Sequence, residues 1–377
     1  MAPPGPPRVV IVGGGIAGCS VAVELAARNA RVVLVERDQP GVGATGASAG
    51  MLAPQYEGEV EAPDFPFALA CREAWPAFRE RLEALADWDM GFRTDGMLVA
   101  NRSLQEEEQA GRALEAQRSL GLPGEILSPR DARTHHHRIA PGVPSWLWLP
   151  AEAHLDAQRL AVALADAVQA AGVKLVRSAQ VRALTARGGR ATGVGLADGT
   201  EMEADSVVLA AGAWSAALEG LPRPLPVRPI RGQMLRLLPP DPLPWTLVSD
   251  HDGRYLVPRI NGSILVGSTM EDVGYDEAVT EEGRELLARA AAELIPELEE
   301  SRIVEAWAGL RPISADNLPI LGPDPEMEGL FYATGHGRNG VLFAPLVGRA
   351  VAELVLRHST AVAWEAFRIE RFQERES

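Results

Sequence analysis

Positive charge is scarce in this 377-residue chain: 51 acidic residues face 36 basic ones, for a formal net charge of −15. Nucleic-acid binders gather Lys and Arg on a face that meets phosphates, so this balance argues against a nucleic-acid partner. Lysine occurs once, at Lys174, against an arginine- and alanine-rich background; this reads as genome composition, and no mechanism is drawn from it. Cysteine occurs twice, at Cys19 and Cys71, too few and too far apart for a disulfide framework or a metal cluster, which fits a reducing cytoplasm. Long apolar runs are also missing. Stretches such as Val9 to Val12 and Ser206 to Ala213 fall far short of the roughly 20 residues a membrane-spanning helix needs, so no membrane role is expected. The opening Met1 to Pro7 is Pro-rich, lacks the charged-then-apolar layout of an export signal, and reads as a frayed tail.

What is present is globular: 46% of residues are hydrophobic and 23% charged. A single core stops growing near roughly 250–300 residues, so a chain of this length is expected to hold two. The first fifty residues carry the sharpest motif. Arg8 to Val12 is a short β-branched run that ends in Gly13-Gly14-Gly15-Ile16-Ala17-Gly18, and Cys19 to Asn29 then carries helix formers. In Gly13-x-Gly15-x-x-Gly18, the first glycine allows the tight turn, the second brings the backbone to a pyrophosphate, and the third lets helix and strand pack closely. The helix N-terminus offers free N–H groups to phosphates. A second strand, Arg31 to Val35, ends at Glu36, where a carboxylate can accept from the two hydroxyls of an adenosine ribose. The pattern is that of a dinucleotide site and does not by itself separate NAD from FAD. The following run, GVGATGASAGML from Gly41 to Leu52, is small enough to let backbone lie against a large flat ligand.

Further along, residues 65 to 87, 103 to 120 and 156 to 171 have helical spacing, and Val173 to Val176, Val181 and Thr192 to Leu196 are strand-like, with Asp198-Gly199 as a hairpin turn. Ser206 to Trp214 reads as a buried strand ending in small residues, so the nucleotide domain is expected to be assembled from separated segments. Val227 to Gly267 is β-rich and punctuated by proline, and residues 280 to 299 read as a helix capped by Thr280. The run His135-His136-His137 suggests a metal site only superficially, because consecutive residues do not converge on one ion; no metal is expected.

These segments together resemble the D-amino-acid-oxidase-like FAD-dependent oxidoreductases, and within them the glycine oxidases of thiamine biosynthesis. The likeness is carried by VVIVGGGIAGCS from Val9, GASAGML from Gly46, VVLAAGAWS from Val207, DHDGRYLVPR from Asp250, ILVGSTMED from Ile264, WAGLRPISADNLPILG from Trp307, GHGRNGVLFAP from Gly335 and AFRIERF from Ala366. It implies an α/β FAD-binding Rossmann-like domain of the glutathione-reductase type, joined to an antiparallel-sheet α+β substrate domain. The boundaries expected are 1–85 with 150–220 and 305–377 for the FAD-binding domain, which is discontinuous, and 86–149 with 221–304 for the substrate-binding domain.

FAD is expected to bind without a covalent bond. Its contacts are expected from Gly13, Gly15, Ile16, Ala17, Gly18, Glu36 and Arg37, from Ala44, Thr45, Ala49, Gly50 and Met51, from Val181 and Gly212, and from His336, Gly337, Arg338, Asn339, Gly340, Val341 and Leu342. By the same resemblance Arg311 matches the arginine that pairs with a substrate carboxylate, Tyr255 a tyrosine that helps to hold it, and Arg338 a second arginine nearby. Met270 stands where related sarcosine oxidases carry a lysine and glycine oxidases a methionine. Gly337 departs from the pattern, since relatives place an aromatic residue there. The implied activity is oxidative deamination of glycine or another small amino acid (sarcosine, D-alanine, D-proline). Hydride passes to flavin and O2 is the acceptor, giving an imine or 2-oxo acid, ammonia and H2O2, with no protein base required. A dehydrogenase of D-amino acids or secondary amines that serves a quinone or carrier is the alternative. A flavoprotein subunit that partners another chain is a third reading. The resemblance further implies a homotetramer.

Overall fold

Four of five residues in Arg8–Val12 are apolar and β-branched because this strand is buried on both faces. It lies inside a six-stranded sheet of order Lys174–Val176, Arg31–Val35, Arg8–Val12, Ser206–Leu209, Leu330–Thr334, Ile320–Pro323; only the last strand runs antiparallel to its neighbour. The computed structural model describes residues 5–372, so part of the tail expected at Met1 to Pro7 lies outside the described residues. Side chains alternate along the strand. Val9 and Ile11 pack under the helices Ile16–Ala26, Phe65–Ala86, Ala157–Ala170 and Gly340–Arg357, whereas Val10 and Val12 meet a three-stranded meander, Val181–Arg187, Arg190–Leu196 and Glu201–Glu203.

The second large sheet has eight strands in the order Arg302–Ser314, Val227–Leu238, Ile264–Gly267, Tyr255–Pro258, Leu247–Asp250, Met97–Asn101, Ser145–Leu149, Glu125–Leu127. It was expected to be antiparallel and is mixed, because Leu247–Asp250 runs parallel to Met97–Asn101. A parallel pair needs a long return crossover, and about 145 residues separate these two strands. The expected boundary at 304/305 falls inside one continuous strand, since Arg302–Ser314 pairs with Val227–Leu238 along its length. One face of this sheet is covered by the helix Glu281–Leu294 through Leu287, Ala291 and Leu294. The other, bearing Met234, Tyr255, Val257 and Leu265, packs against Ala49 of the small-residue run and Ala53 just beyond it.

Two elements are shorter than their sequence suggests. Thr280 does cap its helix, accepting from the Gly283 N–H at 3.1 Å, but the helix stops at Leu294 because Pro296 cannot continue the hydrogen-bond ladder; a 3-10 turn, Pro296–Glu300, follows. The strand from Ser206 ends at Leu209, and Gly212, at φ +54°, opens a 3-10 turn over Gly212–Ala217. The histidine run splits up: the His135 ring stacks on Trp148 with centroids 4.0 Å apart, while burial pushes the His136 imidazole down to about 4.

Candidate functional site

A cavity of about 690 Å³ is lined by residues of both large sheets. Its floor begins at the glycine turn. Gly13 sits at φ +104°, and a Cβ there would lie 2.4 Å from the Ala210 carbonyl; a Cβ on Gly18 would lie 2.0 Å from the Gly13 carbonyl. Those two glycines let helix and strand close on each other. Gly15 differs, with nothing nearer to its missing Cβ than Thr45 Oγ1 at 3.6 Å. As the cap residue it makes no side-chain bond of its own, and Gly15, Ile16 and Ala17 bring the helix start to the cavity wall. The Ile16 N–H donates to Thr45 Oγ1 at 3.0 Å.

At the end of the next strand, Glu36 accepts from the N–H of Gly14 at 2.6 Å and of Asp38 at 2.9 Å, which fixes its carboxylate on the cavity wall with lone pairs to spare. Arg37 lies 3.5 Å over the centre of the Trp214 ring, and both line the cavity. The small-residue run supplies Ala44, Thr45, Ala49, Gly50 and Met51 to the lining. Its course is set from behind by Arg259, a buried guanidinium that donates to the carbonyls of Ala49 at 2.6 Å and Leu155 at 3.2 Å. Val181 and Gly212 close the same end, and His336, Gly337, Arg338, Gly340 and Val341 form a further wall.

Three residues expected at the cofactor sit elsewhere. Gly18 serves helix packing, Asn339 precedes the helix Gly340–Arg357, and Leu342 turns into the core; none lines the cavity. That helix start is fixed by the Trp75 indole, whose N–H donates to the carbonyls of Val341 at 3.1 Å and Leu342 at 3.0 Å.

Arg311, Tyr255 and Arg338 come together on the wall formed by the eight-stranded sheet and the Gly335–Gly340 turn. The Arg311 guanidinium donates to the Thr269 carbonyl at 3.1 Å and to Ser268 Oγ at 2.6 Å, and no carboxylate pairs with it among the described residues. It lies over Gly232, where a Cβ would sit 2.1 Å from Nη1. Burial lowers its pKa below the ordinary arginine value, with Tyr255 and Glu57 opposing. Arg338 is different: Glu57, 3.4 Å from its Nη2, pushes its pKa up. Tyr255 is buried, and its hydroxyl donates to the Met234 sulfur at 3.6 Å.

Met270 does not join them. It is 59% exposed and absent from the lining, because the chain leaves the sheet after Gly267 and turns this side chain outward; its neighbours Ser268 and Thr269 are the ones that hold Arg311. Gly337, at φ +56°, has open space where a Cβ would stand. His336 is buried and its imidazole is pushed down to about 4, so it is neutral near pH 7.

The arrangement fits FAD: a bare helix start suits a pyrophosphate, a fixed carboxylate suits ribose hydroxyls, and glycines leave room where side chains would fill the cavity. Sequence reasoning missed Glu57, Gly232, Ser268, Thr269 and Arg259. Each acts through a partner far away in the chain, and although Arg259, Ser268 and Thr269 lie inside motifs quoted above, those motifs do not name the partner.

The family model described as FAD dependent oxidoreductase matches residues 8–354. A glycine oxidase of Geobacillus kaustophilus is 35% identical over 365 residues, 96% of either chain. The crystal structure of glycine oxidase from that organism superposes with a TM-score of 0.92, covering 97% of this chain and 99% of the other at 35% identity. The bifunctional protein ThiO/ThiG of Trichormus variabilis is 34% identical over 98% of this chain and 56% of its own length. Across a span that takes in both sheets and the cavity between them, the chain belongs to the DAO family of FAD-dependent oxidoreductases.

Proposed function

We propose that this enzyme oxidises the amine of glycine or of another small amino acid, with O2 as acceptor. The observation that carries this is the Arg311 guanidinium, half-buried beside Tyr255 on the cavity wall with no carboxylate paired to it among the described residues. A half-buried cation without a paired carboxylate is costly, and a planar guanidinium matches two carboxylate oxygens. A substrate carboxylate completes it. FAD held at this site would supply two-electron chemistry, hydride acceptance from the substrate Cα–H with O2 as the final acceptor and H2O2 as its product. The imine left behind hydrolyses to a 2-oxo acid, releasing ammonia from a primary amine such as glycine and methylamine from sarcosine, while the nitrogen of D-proline stays tethered to its chain.

The protein's share is positioning. Arg311 and the Tyr255 hydroxyl fix the carboxylate, and Arg338, held by Glu57, bounds the same end. The amine reacts as its free base. No side chain is nominated as a general base, and an imidazole as weakly basic as His336 is unsuited to the task. The helix start at Gly15 to Ala17 and the Glu36 carboxylate would hold the pyrophosphate and ribose of FAD. Glycine oxidase relatives support glycine as substrate, and the space at Gly337 supports bulkier amines such as sarcosine, D-alanine or D-proline. The ThiO/ThiG relative supports a role in making the thiazole of thiamine, in the cytoplasm. No helix among the described residues is long and apolar enough to cross a membrane. A homotetramer rests on resemblance.

The test is anaerobic bleaching of the yellow protein by glycine, sarcosine, D-alanine and D-proline in turn, followed by air and a peroxide assay. Bleaching and recovery with peroxide is the expected result. Bleaching that persists in air would mean a dehydrogenase serving another acceptor, and no bleaching by any of the four would sink the proposal.

A further inference from the structure

Glu152 is fully buried and lies outside the cavity, yet its carboxylate is bonded on both oxygens. Oε1 accepts from the backbone N–H of Gln55 at 2.7 Å and of Tyr56 at 3.0 Å, while Oε2 faces Arg72 Nη1 at 3.2 Å. Gln55 is tied down further: its amide donates to Gln117 Oε1, and the Gln117 amide returns to the Gln55 carbonyl at 2.8 Å. These bonds converge on the four-residue helix Pro54–Glu57, too short to hold an orientation by itself. The far side of that helix reaches the substrate end. Tyr56 Oη donates to the Asp250 carbonyl at 2.9 Å and accepts from Ser249 Oγ at 2.5 Å, and Ser249 is paired in register with Tyr255. The next residue, Glu57, is the partner of Arg338.

We propose that Glu152 is a positioning residue for the substrate end of the cavity, acting through the helix Pro54–Glu57 on the Glu57–Arg338 pair. This rests on the amino-acid oxidase reading above. A buried ion pair is a poor source of net stability compared with apolar packing, and burial lifts the Glu152 carboxyl to about 7, so the charge is kept at a cost. The geometry supplies the reason: an acceptor for two adjacent N–H groups at this point aims Glu57 at the cavity.

Holoenzyme of E152Q, E57Q and the double variant tests this. A Gln at 152 sets an amide N–H2 against Arg72 and shifts the helix without leaving a void. The KM for glycine should rise about tenfold in each single variant, the loss of one charge-assisted contact, with kcat and the flavin spectrum unchanged. The double variant should be no worse than either single, since both act through one pair. A lower melting temperature with unchanged KM per bound flavin, or a double variant near a hundredfold worse, would overturn the proposal. Should E152Q fail to yield holoenzyme, E152D enters the same cycle under the same criteria. Wild-type protein that none of glycine, sarcosine, D-alanine and D-proline bleaches would sink the oxidase reading and this inference together; a competent wild type whose KM for its bleaching substrate is unchanged in the variants sinks the inference alone.

Discussion

Replacing Arg311 by Met keeps the length of the side chain and removes its charge, and the structure sets the size of the effect. A guanidinium carries five N–H donors; those not given to the Thr269 carbonyl and Ser268 Oγ remain for a ligand. A bidentate carboxylate would make two charge-assisted bonds, each worth about 1.5–3 kcal/mol. Their loss amounts to roughly 3–6 kcal/mol, or about 10² to 10⁴ in half-saturating substrate at 1.4 kcal/mol per decade. Arg311→Lys keeps a point charge without the planar fork and should lose less, about ten- to a hundredfold. Anaerobic stopped-flow reads this directly, as the substrate concentration that half-saturates the bleaching rate, with the flavin absorbance showing that the cofactor is still bound. The ligand-free protein supplies a second check. Burial works against the Arg311 charge and is its largest perturbation, opposed only in part by Tyr255 and the more distant Glu57, so R311M should unfold at the same temperature or higher. Unchanged half-saturation in both variants would remove Arg311 from the site, and a large fall in melting temperature would make it a structural cation instead.

Gly232→Ala places a methyl 2.1 Å from Arg311 Nη1 and should displace the guanidinium without removing its charge, raising KM by about tenfold with kcat less affected. Steady-state kinetics on the holoenzyme checks it. Gly18→Ala drives a Cβ to 2.0 Å from the Gly13 carbonyl, backbone against side chain, so the helix must move off the strand. The protein should purify largely colourless, with at least a ten-fold weaker FAD dissociation constant by fluorescence titration. His154 is buried and its imidazole is pushed down to about 3, so the folded state keeps it neutral while the unfolded chain protonates it near 6.5. Its contribution to stability is therefore intact above pH 6.5 and is lost as pH falls from there toward 3, by up to about 1.4 kcal/mol per unit. Denaturant unfolding of wild type and His154→Gln should show the gap between them narrowing by roughly 2–3 kcal/mol from pH 7 to 4.5; parallel curves would refute the burial argument.

The amino-terminal motif was legible because its requirements are local: a glycine that must lack Cβ, a helix start two residues on, and an acidic residue one strand later. The parallel pairing of Leu247–Asp250 with Met97–Asn101 was not, because strand direction depends on a crossover and not on the composition of either strand. Met270 shows a second limit. Its motif is in place, yet a side chain's direction after a strand ends depends on the turn, and the structure points it outward. Glu152 and Arg259 were invisible for a third reason: their partners Gln55 and Ala49 lie 97 and 210 residues away, and nothing near them in sequence hints at a bond.

The neighbours of the strand Arg8–Val12 also fix a timetable. One flank is filled at once by Arg31–Val35, but the other waits for Ser206–Leu209, and the sheet is widened by Leu330–Thr334 only much later in the chain. At about 5–20 residues per second, a ribosome leaves the glycine turn exposed for roughly a quarter of a minute to a minute before the last of these strands emerges. A nascent chain therefore has no means of testing whether FAD fits until Leu330–Thr334 has emerged, and riboflavin shortage should fall on chains whose sheet is already paired but empty as the form that proteases see.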